Sequence, residues 1–355
     1  MRITLGVDAH KEQHTVVAID EVGRYLSEIT LPNDRAGYAQ AYQWACGLGA
    51  VRQWGVENSG PFGRALAQYL LRQGEQVLEV SPHLTGRQRR RSRQPAKCDP
   101  HDALAVARLV LQEAHPLPRV VPEDQTTQVK LWVEQRDNLV GERTRLLNRL
   151  HAQLTEADPH YKASLGLLTQ AQTLRQCQAY PLPPDDPIGQ VRVTIIQQLA
   201  TVILQLEEQI EQVTQHLQPL VTQLAPSLVS IQGISWLHAA QLIARVGRIE
   251  TMASSAALAR HAGLAPMLCG TAGNYYHRVS PRGDRQLNAV FHRIAQVQSR
   301  HNLLAQAYLA KKKAAGKTAK HAFRCLKRRM VDIVYAVWKS GKPYQAPATE
   351  VAEAA

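Results

Sequence analysis

RITLGVDAHKEQHTVVAIDEVGRYLSEIT, residues 2–30, contains three short β-branched or alternating segments, 2–8, 13–20 and 22–30, separated by turn-sized gaps. That pattern predicts three antiparallel strands. Asn33-Asp34 then caps a helical stretch that reaches about Leu48. Gln53 to Glu57 reads as a fourth strand, 62–73 as a helix ending at Gly74, and Gln76 to Val80 as a fifth strand. After a loop, Asp99 or Asp102 starts a helix through Leu111. The order β-β-β-α-β-α-β, a loop and a helix predicts an α/β domain over 1–120, antiparallel at its start and parallel thereafter.

Downstream the pattern changes. Residues 125–156 and 188–224 each carry apolar residues at spacings of three and four, such as Leu139, Leu146, Leu150 and Leu154 in the first and Ile196, Leu199, Ile203 and Leu206 in the second. They predict an antiparallel helical hairpin or coiled-coil arm over 121–225, its connection interrupted by Pro181-Leu182-Pro183-Pro184. Such an arm is a scaffold or oligomerisation element before it is a site. Pro226 opens a mostly helical third domain over 226–342. There Ser230-Ile231-Gln232-Gly233-Ile234-Ser235 and the following Ala239 to Ile243 resemble a helix-hairpin-helix, with Ser235 where a second glycine is usual. A tight glycine turn of that kind offers backbone N–H groups to a DNA phosphate. Residues 343–355 lack a core pattern and are expected to be a disordered tail.

Charge narrows the partners. Among 355 residues, 42 Lys and Arg face 29 Asp and Glu, a formal charge of +13, and the pI near 9.7 points to a polyanion. The 45% hydrophobic content is ordinary for a globular chain. No apolar run approaches the ~18 residues of a membrane span, so no membrane partner is expected. Residues 1–8 have no apolar h-region and reach a carboxylate at Asp8, so no signal peptide is expected there. Cys46, Cys98, Cys177, Cys269 and Cys325 are widely spaced with no CxxC pair, which argues against a zinc finger or disulfide scaffold. The excess charge gathers in Arg87, Arg89, Arg90, Arg91, Arg93 and Lys97, and in a second run from Lys311 through Lys327, Arg328 and Arg329. That density suits phosphate neutralisation; a solubilising surface is the plainer alternative.

Four carboxylates stand at chemically useful places. Asp8 ends the first strand, Glu57 ends the fourth, and Asp99 and Asp102 share one face at a helix start. The element order is shared with the ribonuclease H and RuvC nuclease folds, in which the ends of the first and fourth strands are neighbours. A helix packed across them would deliver Asp99 and Asp102 to the same corner. Oxygen donors in that number suit Mg²⁺ or Mn²⁺, and paired ions stabilise both the attacking and the leaving oxygen of a phosphodiester. Taken singly, each has a plainer role: Asp8 in a strand-end turn, Glu57 as a helix cap, Asp99 and Asp102 as first-turn residues on the helix dipole. The segment from His10 to His14 is not a zinc-protease motif, because Glu12 does not follow the first histidine and the segment is a turn.

Gly6-Val7-Asp8-Ala9-His10-Lys11, Val56-Glu57-Asn58-Ser59-Gly60 and Lys97-Cys98-Asp99-Pro100-His101-Asp102-Ala103 resemble, in order and spacing, the DEDD motifs of the IS110 family of insertion-sequence transposases. Gly263-Leu264-Ala265-Pro266 and the stretch from Arg282 to Asn288 resemble that family's C-terminal motifs. The resemblance implies a RuvC-like domain, a coiled-coil arm and a C-terminal transposase domain. It further implies a divalent metal, Mg²⁺ or Mn²⁺, on Asp8, Glu57, Asp99 and Asp102. A C-terminal serine, placed beside the DEDD site of another subunit, would attack DNA to form a covalent phosphoserine. A structured bridge RNA would pair with target and donor DNA.

The chain departs from that pattern at one place. The serine lies eight residues after the glycine of the Gly-Leu-x-Pro turn, in a Ser-Gly pair; counting from Gly263 reaches Thr271, with the next glycine at Gly273. Threonine offers the same hydroxyl, but its methyl restricts χ1 and crowds an in-line attack. Thr271 as a working substitute, an inactive protein, and a neighbouring hydroxyl such as Ser280 or Tyr275 are the three readings. Tyr275 and Arg278 next to that turn, with Arg282 and Arg285 beyond it, suit stacking on bases or gripping phosphates; an ordinary β-hairpin surface is the alternative. The resulting expectation is a cytoplasmic bacterial recombinase, nucleoid-associated when on DNA. It would act on double-stranded target and donor DNA with a guide RNA, as a homodimer or homotetramer. A RuvC-like resolvase or nuclease using water, and a catalytically inactive nucleic-acid-binding relative, are the rivals.

Overall fold

A computed structural model describes residues 2–57, 59–60, 62–91, 99–113, 117–183, 186–271, 274–279 and 283–346. The chain divides into two compact units, 1–123 and 124–355.

The first unit runs β1 (Arg2–Ala9), β2 (Gln13–Ile19), β3 (Tyr25–Pro32), α1 (Arg35–Leu48), β4 (Val51–Glu57), α2 (Arg64–Arg72), β5 (Val77–Val80), α3 (Pro82–Arg91) and α4 (Asp99–Glu113). The sheet order is β3-β2-β1-β4-β5. β1–β2 and β2–β3 are antiparallel, while β1–β4 and β4–β5 are parallel. Strand alternation sorts the two faces. Ile3, Leu5, Val7, Trp54 and Val56 pack with Tyr38 and Ala41 of α1 and Leu66 and Leu70 of α2. The opposite face carries α4, whose Val106 and Val110 meet Leu78 and Val80, and whose Ala103 and Ala107 meet Val17 and Ile19. Gly6 and Gly55, paired across β1 and β4, form the trough in which α4 lies. A methyl on Gly6 would stand 2.1 Å from the Ala103 oxygen, and one on Gly55 2.3 Å from Val110 Cγ2. Asp34 caps α1 by accepting from the Gly37 N–H at 2.8 Å.

The stretch after β5, expected to be a loop, is instead helical over Pro82–Arg91. Pro82 suits a first turn because no N–H is needed there, and the Ser81 carbonyl accepts from the Leu84 N–H at 2.9 Å. The first arginine cluster therefore begins on a helix.

The second unit comprises α5 (Gln125–Ala157), α6 (Pro159–Ser164), α7 (Ala171–Gln178), α8 (Pro187–Leu224), α9 (Trp236–Val246), α10 (Ser255–His261), β6 (Pro266–Thr271), β7 (Asn274–Val279), α11 (Arg285–His301), α12 (Leu303–Ala314) and α13 (Ala319–Ser340). α5 and α8 run antiparallel. Val129 and Val133 share a core with Leu217 and Val221, Leu139 packs with Leu206 and Ile210, and Leu150 and Leu154 pack with Ile196 and Leu199. The proline-interrupted connection holds two helices that periodicity did not show; α7 sends Leu174 and Cys177 into the last of these clusters. α8 is long and apolar enough, by length and composition, to cross a membrane, but Ile196, Ile203, Ile210 and Leu217 bury against neighbouring helices.

Two expectations change here. The base of the helical arm shares its core with α9, α11 and α13, and the arm and the C-terminal region both fall within the compact unit 124–355. Pro226 follows α8 with a 3-10 turn, Pro226–Ser230, so the Gly233 turn does not join two α-helices as a helix-hairpin-helix would. Ser235 instead opens α9 through a capping box with His238. Residues 343–346 of the expected tail are tied down: the Tyr344 N–H donates to Ser230 Oγ at 2.8 Å, and Tyr344 packs on the core. The remainder, 347–355, lies outside the described residues.

Candidate active site

Asp8 sits on β1 two residues after Gly6, on the face covered by α4. Glu57 is the last residue of β4, one step past the Val7–Val56 pair. The two carboxylates therefore stand side by side at the C-terminal ends of parallel neighbours, each 5% exposed. Because Gly6 admits the α4 backbone, the N-terminus of that helix reaches the same corner. Asp102, within its first turn, is buried, while Asp99 at its start is half-exposed.

His10 joins them. Its Nε2 lies 3.1 Å from Asp8 Oδ2 and 3.6 Å from Asp99 Oδ1. The turn that presents it is held by the His10 N–H donating to the Gln13 oxygen at 3.1 Å and by Asn33 Nδ2 donating to the Lys11 oxygen at 3.0 Å. On the other side the buried Thr85 hydroxyl of α3 donates to Glu57 Oε1 at 2.8 Å. Burial pushes the Asp8 carboxyl above the usual carboxylate range; His10 pulls it back, and the negative charges of Asp102 and Asp99 push it up again. Oxygens of Asp8 and Asp99 and a nitrogen of His10 lie within 4.8 Å of one another. Like charges buried at one corner are unfavourable without a cation. An oxygen-rich set fits Mg²⁺ or Mn²⁺, and the single imidazole tilts it towards Mn²⁺.

In the second unit, Thr271 closes a two-stranded hairpin, paired with Asn274 at the end opposite the Pro266–Val279 base. The base is clamped. A methyl on Gly283 would stand 2.1 Å from the Gly263 nitrogen, so only glycine lets these two segments cross. The Asp284 N–H donates to the His261 oxygen at 2.8 Å, and the Asp284 carboxylate caps α11 by accepting from Gln286 and Leu287 N–H groups. Asn288 Nδ2 donates to the Ala262 oxygen at 2.9 Å, and Lys327 Nζ donates to Asn288 Oδ1 at 2.7 Å.

Two family models match the chain. Residues 5–159 match one described as a transposase, of the DEDD type found in IS110 elements, and residues 225–310 match one described as the transposase IS116/IS110/IS902 family. This chain belongs to the IS110 family of transposases. The 44.8 kDa protein of insertion element IS116 from Streptomyces clavuligerus is 27% identical to it, covering 100% of this chain and 98% of that protein. The 43.6 kDa protein of insertion element IS110 from Streptomyces coelicolor is 29% identical over 124 residues, 35% of this chain and 31% of that protein.

A transposase cuts and rejoins DNA, so the placement of the basic residues of this IS110-family chain matters. Arg87, Arg89, Arg90 and Arg91 lie on α3 and Tyr275 and Arg278 on β7, but the side chains at these positions, like that of Thr271, lie outside what the structure describes. Arg93, Lys97, Ser280 and Arg282 lie outside the described residues altogether. Arg285 is exposed as the first residue of α11, and Arg328 pairs with Asp332 one turn on. Lys327, expected on a phosphate, is 8% exposed and is committed to Asn288. Burial, and then Arg324, lowers its pKa. Its spacing carried a signal: Lys327 is four residues from both Phe323 and Val331, on the apolar stripe of α13. His10 stood in the motif from Gly6 to Lys11 without a role of its own; its approach to Asp99, 91 positions beyond Asp8, exists only in the folded chain. Thr85 went unread because its own helix, Pro82–Arg91, shows no apolar period beside Arg87 to Arg91.

Proposed function

We propose that this transposase uses a divalent metal on Asp8, Glu57, Asp99 and Asp102, with His10 as a fifth donor, and Thr271 as the nucleophile that joins protein to DNA. The observation that carries the reading is the gathering of buried Asp8, Glu57 and Asp102 with Asp99 and His10 at one corner of a sheet ordered as in ribonuclease H-like and RuvC-like nucleases. When bound, the metal would polarise the scissile phosphate. Asp8 and Asp102, nearly dry, would offer such an ion oxygens little screened by water. Before an ion binds, His10 Nε2 lies between Asp8 and Asp99, and as a metal donor it would give up that contact; Thr85 donates to Glu57 Oε1.

At Thr271, the hydroxyl oxygen would form a bond to phosphorus as the bond from phosphorus to one sugar oxygen breaks. The threonine proton is released, and the departing sugar oxygen takes up a proton. One phosphodiester is exchanged for another, so the reverse attack can rejoin a new strand without an external energy source. The clamped hairpin base supports this role by giving the strand that ends at Thr271 a fixed root. Guidance by a structured RNA and assembly into at least a dimer, with one chain's Thr271 serving another's carboxylates, rest on the family and on the +13 charge. The site of action would be the bacterial cytoplasm, on the nucleoid.

The test is a denaturing gel of labelled target and donor duplexes incubated with protein, Mn²⁺ or Mg²⁺, and the RNA transcribed from the flanking noncoding DNA. Label is expected on protein, and is expected to vanish in both Asp8→Ala and Thr271→Ala. Nicked DNA with no adduct, unaffected by Thr271→Ala, would replace the nucleophile with water. Binding without cleavage under every metal would identify an inactive relative.

A further inference from the structure

A cleft of about 710 Å³ opens on the α1–α2 side of the first unit. Its size lies in the ~300–1,000 Å³ range of ligand-holding clefts. We infer that it holds a single strand of DNA leading away from the sheet edge that carries the carboxylates; the inference rests on the cleavage reading above.

Three observations converge. The first is charge: Arg35, Arg64 and Arg72 line the cleft against one carboxylate, Glu123, with which Arg64 pairs. The second is stacking surface. Phe62 is 40% exposed, and Tyr69 is half-buried on the same wall. Tyr69 is propped by Tyr38, ring centroids 6.1 Å apart. Tyr38 is in turn held by a hydrogen bond to Asn33 and by stacking on His14 at 5.9 Å. A rigid aromatic platform beside guanidinium groups is the pattern of sequence-tolerant single-strand binding. The third is position. Asn33 in the cleft wall bonds to the turn that carries His10, and Gly60 in the same wall lies three residues past Glu57. Asn33 follows β3 and Gly60 follows β4, so the cleft lies at the sheet edge where β1 and β4 end in Asp8 and Glu57, on the face opposite α4.

A cleft of this volume admits a nucleotide or two and excludes a duplex. The strand it takes is one unpaired next to the cut, its bases stacked on Tyr69 and Phe62 and its phosphates on Arg35 and Arg72. DNA is favoured over RNA because DNA is the substrate of a transposase.

The experiment uses the full chain and a fluorescein-labelled twelve-residue oligodeoxythymidylate carrying one 5-iodo-deoxyuridine, with anisotropy read over a salt series and crosslinks mapped by mass spectrometry. Tyr69→Ala is expected to weaken binding about tenfold and Tyr69→Phe to leave it near wild type. Arg35→Ala with Arg72→Ala is expected to flatten the salt slope by about 1.4, at ~0.7 per phosphate contact on a single strand. The crosslink is expected at Tyr69 or Phe62, and to survive in Asp8→Ala, which loses cleavage only. Wild-type affinity and slope in these variants, crosslinks confined to other residues, or tighter binding of the matching oligouridylate would each overturn the inference. Loss of the Thr271 adduct with an intact Tyr69 crosslink would instead strike the cleavage reading and leave the cleft as a DNA-binding site.

Discussion

Asp8 is a carboxylate that the fold buries at a cost. Burial first, and the charges of Asp102 and Asp99 after the counter-effect of His10, raise its pKa above the ordinary 3.8. The native state therefore holds that proton more tightly than the unfolded chain does. Stability contributed at this site falls as pH rises from 3.8 through the raised native value, and the penalty persists above it. Asp8→Asn removes the charge. In metal-free buffer it should melt a few degrees above wild type near neutral pH, and the difference should close as pH falls through that window. Scanning calorimetry from about pH 4 to about pH 8 measures it. Added Mn²⁺ should raise the wild-type melting temperature and leave Asp8→Asn nearly unmoved. A variant that melts below wild type at neutral pH would remove Asp8 from the strained set.

At the scale of elements, what was legible followed locality. β1, β2, β4 and β5 could be read because alternation and β-branching are properties of a few adjacent residues, and the positions of Asp8 and Glu57 at strand ends came with them. α3 was hidden because Arg87 to Arg91 overwhelms any apolar period. The inward turn of Lys327 was hidden inside a basic run, where charge alone does not tell a solvent-facing lysine from one bonded to Asn288. The root of the hairpin could be quoted as motifs, Gly263 to Pro266 and Gly283 to Asn288, but its meaning needed the crossing of Gly263 and Gly283, which are distant in sequence. That root gives a measurable consequence. Asn288→Ala leaves the Ala262 carbonyl and a buried ammonium without their partner and should cost about 3 kcal/mol in urea unfolding. Adding Lys327→Met removes the orphaned charge, so the double variant should recover part of that loss. If the two losses simply add, the contact is not a coupled pair.

For the whole molecule, the decisive property is that the carboxylates and Thr271 belong to different compact units, 1–123 and 124–355. Under the proposed mechanism, the carboxylates of one unit and Thr271 of the other can meet within one chain or between two, and mixing inactive variants distinguishes the cases. Asp8→Asn keeps Thr271, and Thr271→Ala keeps the carboxylates. If each site takes its carboxylates from one chain and its hydroxyl from another, a mixed dimer contains one intact site and one doubly damaged site. Random assortment of equal amounts in a two-fold dimer makes half the dimers mixed, so about a quarter of the wild-type sites should return. The readout is the protein–DNA adduct on a denaturing gel after the two variants have been unfolded and refolded together, each alone serving as the blank. Adduct in the mixture, carried only by the Asp8→Asn chain when the two are tagged for different mobility, would establish donation between subunits, because that chain alone retains the hydroxyl. A mixture as inactive as its components, though it forms mixed dimers, would place both halves of the site in one chain.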